Sequence, residues 1–145
     1  MMQSIRESII SELIQTINNA VTQTVYRQPV WALPLEKCPA IILEIDGDQV
    51  TNSANDRSER ELSVTISALW RGDPNTATQW SDADDAICKI HKALYESNNL
   101  NGKVLRIVET GGEWENEDAD SGAVAIPASY QFIYRTSQKD ISQAG

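Results

Sequence analysis

Cys88 and His91 are the residues whose types and spacing come nearest to a catalytic pair. They stand three positions apart in a segment of helical periodicity and so share a face. A thiol beside an imidazole is the arrangement of a cysteine nucleophile with its base. Three-residue spacing on a regular helix does not aim the ring at the sulfur, however, and no orienting carboxylate is evident, so both are read as packing or surface residues. His91 is the single histidine, and Cys38 lies 50 positions from Cys88. A zinc site draws on about four clustered ligands, and a disulfide framework on more cysteines in a shorter chain. Both thiols are therefore read as free. Asp46-Gly47-Asp48 and the glycine-bounded segment 111–122 gather the oxygens a hard cation prefers. Neither has the spacing of a helix–loop–helix calcium site. With no phosphate-cradling glycine loop, nucleophile elbow or zinc-protease motif either, the expectation is no catalytic residue, no metal and no cofactor: not an enzyme.

The elements that would position these groups read as α-β-β-α-β-β. Ser4 followed by Glu7 is a capping box, and Ile5, Ile9, Leu13 and Ile17 form a helical stripe. These place a first helix at 5–20, whose interrupting polar residues argue against a secretory leader. Pro29, Pro34 and Pro39 punctuate an extended linker that carries Trp31 and runs over a surface or along an edge. Residues 40–46 read as a mostly buried strand, 48–59 as a long mobile polar loop, and 61–71 as a half-buried strand. In that last strand Leu62, Val64, Ile66 and Ala68 alternate with polar residues. A second helix at 77–97 puts Ala83, Ala86, Ile87, Ile90, Ala93 and Leu94 on one face and stops at an Asn-Gly turn. Strands follow at 103–110 and 124–136, with Pro127 as a break or bulge, and 137–145 reads as a flexible tail. The expected fold is a single α+β domain over 1–136: one mixed or antiparallel sheet with both helices packed on one face.

The chain has 145 residues and a formal net charge of −9. Such a balance disfavours neutralising nucleic-acid phosphates or docking on an anionic membrane. No apolar run approaches the roughly 20 residues of a membrane span. The expected setting is a cytoplasm.

The order of these elements resembles the tail terminator family (tail completion, minor tail protein U-like) of long-tailed bacteriophages and prophages. The resemblance lies in the N-terminal helix, Leu33-Pro34 before a strand, and the long hairpin connection. It continues in Ile90-His91-Lys92-Ala93-Leu94 ahead of an Asn-Gly turn, and in Tyr134-Arg135-Thr136 shortly before Asp140. It implies a structural protein of the virion tail, assembled in the host cytoplasm. Six copies would close into a ring that caps the tail tube protein, stops its polymerisation and presents a face to the head–tail connector protein. DNA would pass an acidic bore without specific binding. A connector or neck adaptor is the alternative within the same biology, and a small ligand-binding regulatory domain the alternative outside it.

Contacts between copies or with the tube are expected at the two long unpatterned segments. In the loop 48–59 the candidates are Asp48, Asn52, Asn55 and Arg57. In the acidic segment they are Trp114 with Glu113, Glu115, Glu117 and Asp118 around it. Trp31 joins them because tryptophan is enriched among interface hot spots.

Overall fold

The computed structural model describes residues 2–29, 37–71, 78–112 and 124–145. Its centre is the strand with the clearest alternation, β3 (Arg57–Trp70), hydrogen-bonded along its length on both sides. Antiparallel partners flank it, β2 (Ala40–Ala54) and β5 (Val124–Ser137). A short strand β1 (Thr24–Arg27) runs parallel to β2 at one edge, and β4 (Arg106–Gly111) runs antiparallel to β5 at the other. The order across the five-stranded mixed sheet is β1-β2-β3-β5-β4. This is the expected α+β fold, with one strand more than the sequence suggested. Residues 24–27, read as linker, are long enough for only four ladder partners (Thr24↔Ala40 to Arg27↔Leu43), too few for a periodic signal.

Two helices, α1 (Ile5–Ala20) and α2 (Gln79–Glu96), pack against the sheet. Ile9, Ile10, Leu13 and Ile17 of α1 and Ala83, Ala86, Ile90 and Leu94 of α2 are buried. They meet Leu62, Val64, Ile66 and Ala68 of β3, each fully buried, and Tyr130, Phe132 and Tyr134 of β5 in one core. At the start of α1, the Ser4 hydroxyl accepts the Glu7 N–H at 3.0 Å. The return arm of the capping box goes elsewhere: the Glu7 carboxylate takes both guanidinium nitrogens of Arg27 on β1. After α2 the chain makes one left-handed turn, α3 (Asn98–Gly102), with φ from +51° to +57° at Asn98–Asn101. Asparagine tolerates this region. Leu100 does not, at a cost of about 1–2 kcal/mol, but its side chain is fully buried, which contributes roughly 1.5–3 kcal/mol.

Two expectations need correction. The segment 48–59 is not a loop: β2 continues to Ala54, β3 starts at Arg57, and only Asn55-Asp56 turn. Both turn residues have positive φ, +54° and +63°, as the tight hairpin turn matching strand twist requires. The register shifts at Asp46 and again at Thr51, and each bulge resets which face a side chain takes. Alternation of apolar residues therefore stops at Ile45 although the strand does not. Beyond Ile45 the three strands β2, β3 and β5 form a mostly polar arm whose two sides lack a continuous apolar face.

The segment 137–145 is likewise tied down rather than frayed. The Ile5 N–H donates to the Ile141 carbonyl at 2.8 Å, Ser137 to Gln143 at 2.9 Å, and Gln138 to Asp56 at 2.9 Å. Thr136 bridges Ala144. An Asx turn folds it, with the Asp140 carboxylate accepting from the Ser142 N–H and hydroxyl. Pro127 neither breaks nor bulges β5: it keeps regular register opposite Ser67, beyond the point where the β4 ladder ends at Ser129.

Ile66 sits opposite Leu43 and Ala128 in the middle of the core. Ile66→Ala should lower unfolding free energy by about 2–5 kcal/mol, read as a shifted denaturation midpoint at unchanged slope. An unchanged midpoint would mean that this face of β3 is not the buried one.

Candidate functional site

The bulge at Asp46 has a chemical consequence two residues on. It places Asp48 opposite Leu62, on the helix side of the sheet, where its side chain is only 8% exposed. Asp48 Oδ2 accepts from Arg6 Nη1 of α1 at 2.9 Å and from the Tyr134 hydroxyl of β5. Arg60 Nη1 of β3 lies 4.0 Å away, and Arg60 Nε donates to Thr136 Oγ1 at 3.2 Å. One carboxylate thus ties a helix and three strands where the polar arm leaves the core. Its neighbours respond as expected: the Asp48 hydrogen bond raises the Arg6 pKa. Burial, reinforced by that carboxylate, pushes the Tyr134 hydroxyl well above the usual phenol range. Asp48 was expected in an exposed loop; its side chain instead holds the arm from within.

The other three residues expected in that segment do come together on the surface. Asn52, Asn55 and Arg57 are exposed and line a shallow polar cleft at the hairpin tip with Glu59 and Arg135, whose side chains approach to 3.7 Å. Trp31, Glu113, Trp114, Glu115, Glu117 and Asp118 lie outside the described residues.

Further along the sheet the strand register assembles a cluster that the sequence did not reveal. His91 Nδ1 is 2.8 Å from the Tyr130 hydroxyl, and its Nε2 is 3.8 Å from Glu109 Oε2. The Tyr95 ring lies 4.8 Å from the imidazole, centroid to centroid. A carboxylate near His91 therefore exists, although 18 positions separate the two, because Glu109 pairs with Tyr130 across β4 and β5. Burial and the Glu109 charge push the Tyr130 hydroxyl far above its usual range, so the phenol keeps its proton and is a poor nucleophile, while which partner donates in the pair with His91 depends on the imidazole tautomer. Cys88 is exposed, while the imidazole turns Nδ1 toward Tyr130.

The backbone offers a second kind of site. Gln28 bonds the β2 carbonyls of Leu43 and Ile45, and past that point no strand among the described residues pairs with the outer edge of β2 from Asp46 to Ala54. The outer edge of β4 is equally open among the described residues. Unpaired edges present rows of N–H and C=O groups ready to pair with another chain. Arg6, Arg60 and Glu109 escaped the sequence reading, because their partners are set by strand register and helix placement. No group of three or more possible metal ligands occurs among the described residues, and none of their helices is long and apolar enough to cross a membrane.

No protein-family model matches the chain, and a search of curated proteins returns no match.

Two measurements check the arm's anchor. Tyr134→Phe removes a donor to an enclosed carboxylate and should cost about 1–3 kcal/mol in a urea midpoint; an unchanged midpoint contradicts the anchoring. Tyr130 and Tyr134 have folded-state pKa values raised above the unfolded value of about 10. Their contribution is complete below that pH and is lost as pH rises through and beyond it, because the unfolded chain ionises first. Tyrosinate absorbance should therefore show two of the four tyrosines titrating only with alkaline unfolding.

Proposed function

We propose that the protein is a structural tail terminator: a subunit of a closed ring, most simply of six copies, that caps a phage or prophage tail tube. The observation that carries this reading is one sheet with, among the described residues, two unlike open edges, β4 at one side and the distal half of β2 at the other. A ring needs a heterologous contact, in which one patch meets a different patch on the next copy and the rotation closes. Two unlike edges on one rigid sheet supply such a pair. A terminator also needs an element that reaches beyond its own core to a different protein. The hairpin arm of β2 and β3, with its exposed Asn55-Asp56 tip, is suited to that.

Charge supports the same reading. A net charge of −9 per copy, repeated around an axis, gives a bore that repels DNA phosphates and lets a genome slide. It also makes the copies repel one another at low ionic strength. Ring closure is therefore held back until screening or a tube end offsets the repulsion. The sequence resembles the tail terminator family on the segments named above, apart from the hairpin connection, which is a two-residue turn here. A head–tail connector would use the same ring and differ in the tube or neck face it occupies.

Native mass of the purified protein over a salt series, followed by imaging with tail tubes, tests this. The expected outcome is a larger assembled fraction as salt rises and density capping one end of each tube. A protein that stays monomeric at high salt and high concentration and ignores tube ends contradicts the terminator reading and favours the ligand-binding alternative.

A further inference from the structure

We infer that neighbouring copies join by antiparallel pairing of the open β4 edge of one with the distal β2 edge of the next, residues Asp46–Ala54; this rests on the ring proposed above. Direction is the first reason. Adjacent strands β2, β3, β5 and β4 alternate in sense, so β2 and β4 point opposite ways. Rotation about a ring axis leaves the component of each strand along that axis unchanged. The β4 strand of one copy therefore meets the β2 strand of the next antiparallel, with helix-bearing faces on the same side.

Level is the second reason. Arg106 of β4 lies across from Ile133, then Glu61, then Gln49; Glu109 lies across from Tyr130, then Val64, then Ile45. The β4 strand thus stands level with the start of the open β2 edge, and a slide of a few residues, which a closed ring accommodates by tilting its strands to the axis, sets it along Asp46–Ala54. β1 covers only Ala40–Leu43, leaving that stretch clear among the described residues.

Side chains give the third. Val50 pairs with Arg60 and lies on the helix-bearing side, yet is 45% exposed. On the same side of β4, Glu109 borders the His91 ring, and Tyr95 of α2 is 49% exposed beside it. The contact would bring an uncovered valine to an uncovered tyrosine. A two-fold pairing of β2 with itself would put Asp46 and Asp48 of both copies in one seam with no cation on either strand, whereas β4 contributes Arg106.

Thiol cross-linking of the full chain tests the pairing. In a Cys38→Ser, Cys88→Ser background, Val50→Cys and Glu109→Cys are made separately and together, and joined with a short bis-maleimide that tolerates a register offset. Native mass confirms that each variant still assembles. The expected result at high salt is a ladder of linked oligomers from the double variant, and linked dimers from the mixed single variants but from neither alone. Dimers from Val50→Cys alone would mean two-fold pairing and overturn the inference. Rings without any cross-link overturn it too, while leaving the terminator reading in place. No assembly of the unsubstituted protein under the same conditions overturns both.

Discussion

A carboxylate with 8% of its side chain exposed has exchanged most of its water for protein partners, and the arm of this protein is organised around Asp48. An unpaired enclosed charge costs several kcal/mol, more than the polar cross-strand pairs of the distal hairpin return at roughly 0.2–1 kcal/mol each. Arg6, Arg60 and the Tyr134 hydroxyl supply the partners, and each comes from a different element. Contacts gathered on one carboxylate oxygen, Oδ2, therefore fix the helix, the hairpin and the last strand relative to one another, while Oδ1 is buried without a hydrogen-bond partner among the described residues. The polar ribbon beyond gains a fixed direction that its own sequence has too little apolar surface to impose.

Bulges make that arrangement feasible. Without the extra residue at Asp46, the phase set by Ile41, Leu43 and Ile45 would carry Gly47 and Gln49 to the helix side and turn Asp48 to the opposite face. On the helix-free face Thr65 Oγ1 lies 3.0 Å from Ser129 Oγ and donates to Asp46, and Ala40 and Leu69 form a small buried apolar cluster. Among the described residues, unpaired backbone groups run along the outer edge of β4 and the distal edge of β2. In a structural subunit those groups are where assembly energy can come from.

How much of this was legible in the sequence follows from burial. β3 and α2 announce themselves because one face is buried and the other wet, so period two and period 3.6 stand out. α1 adds a Ser4 cap that holds, although Glu7 chose Arg27 over the capping box. The distal part of β2 gave no such signal, since two bulges break the phase and neither face is continuously apolar. The last nine residues are held mainly by backbone hydrogen bonds, which leave no pattern of side-chain types. The meetings of Asp48 with Tyr134 and of His91 with Glu109 depend on strand register across four elements, information that a linear spacing does not contain. Asn52, Asn55 and Arg57 were found for their polarity in an unpatterned stretch, and they do share the hairpin tip.

The account stands on a distal hairpin that is folded in the free subunit yet open along one edge. Residue-resolved amide hydrogen exchange of the free and assembled protein tests this most directly, because exchange separates paired from unpaired amides. The free protein should show slow and fast amides alternating along Asp46–Ala54, slow where the N–H points to β3 and fast where it points outward. On assembly the fast set should become slow, together with outward amides of β4. Uniformly fast exchange over residues 48–59 in the free protein, or an outward set that stays fast in the ring, would contradict the account.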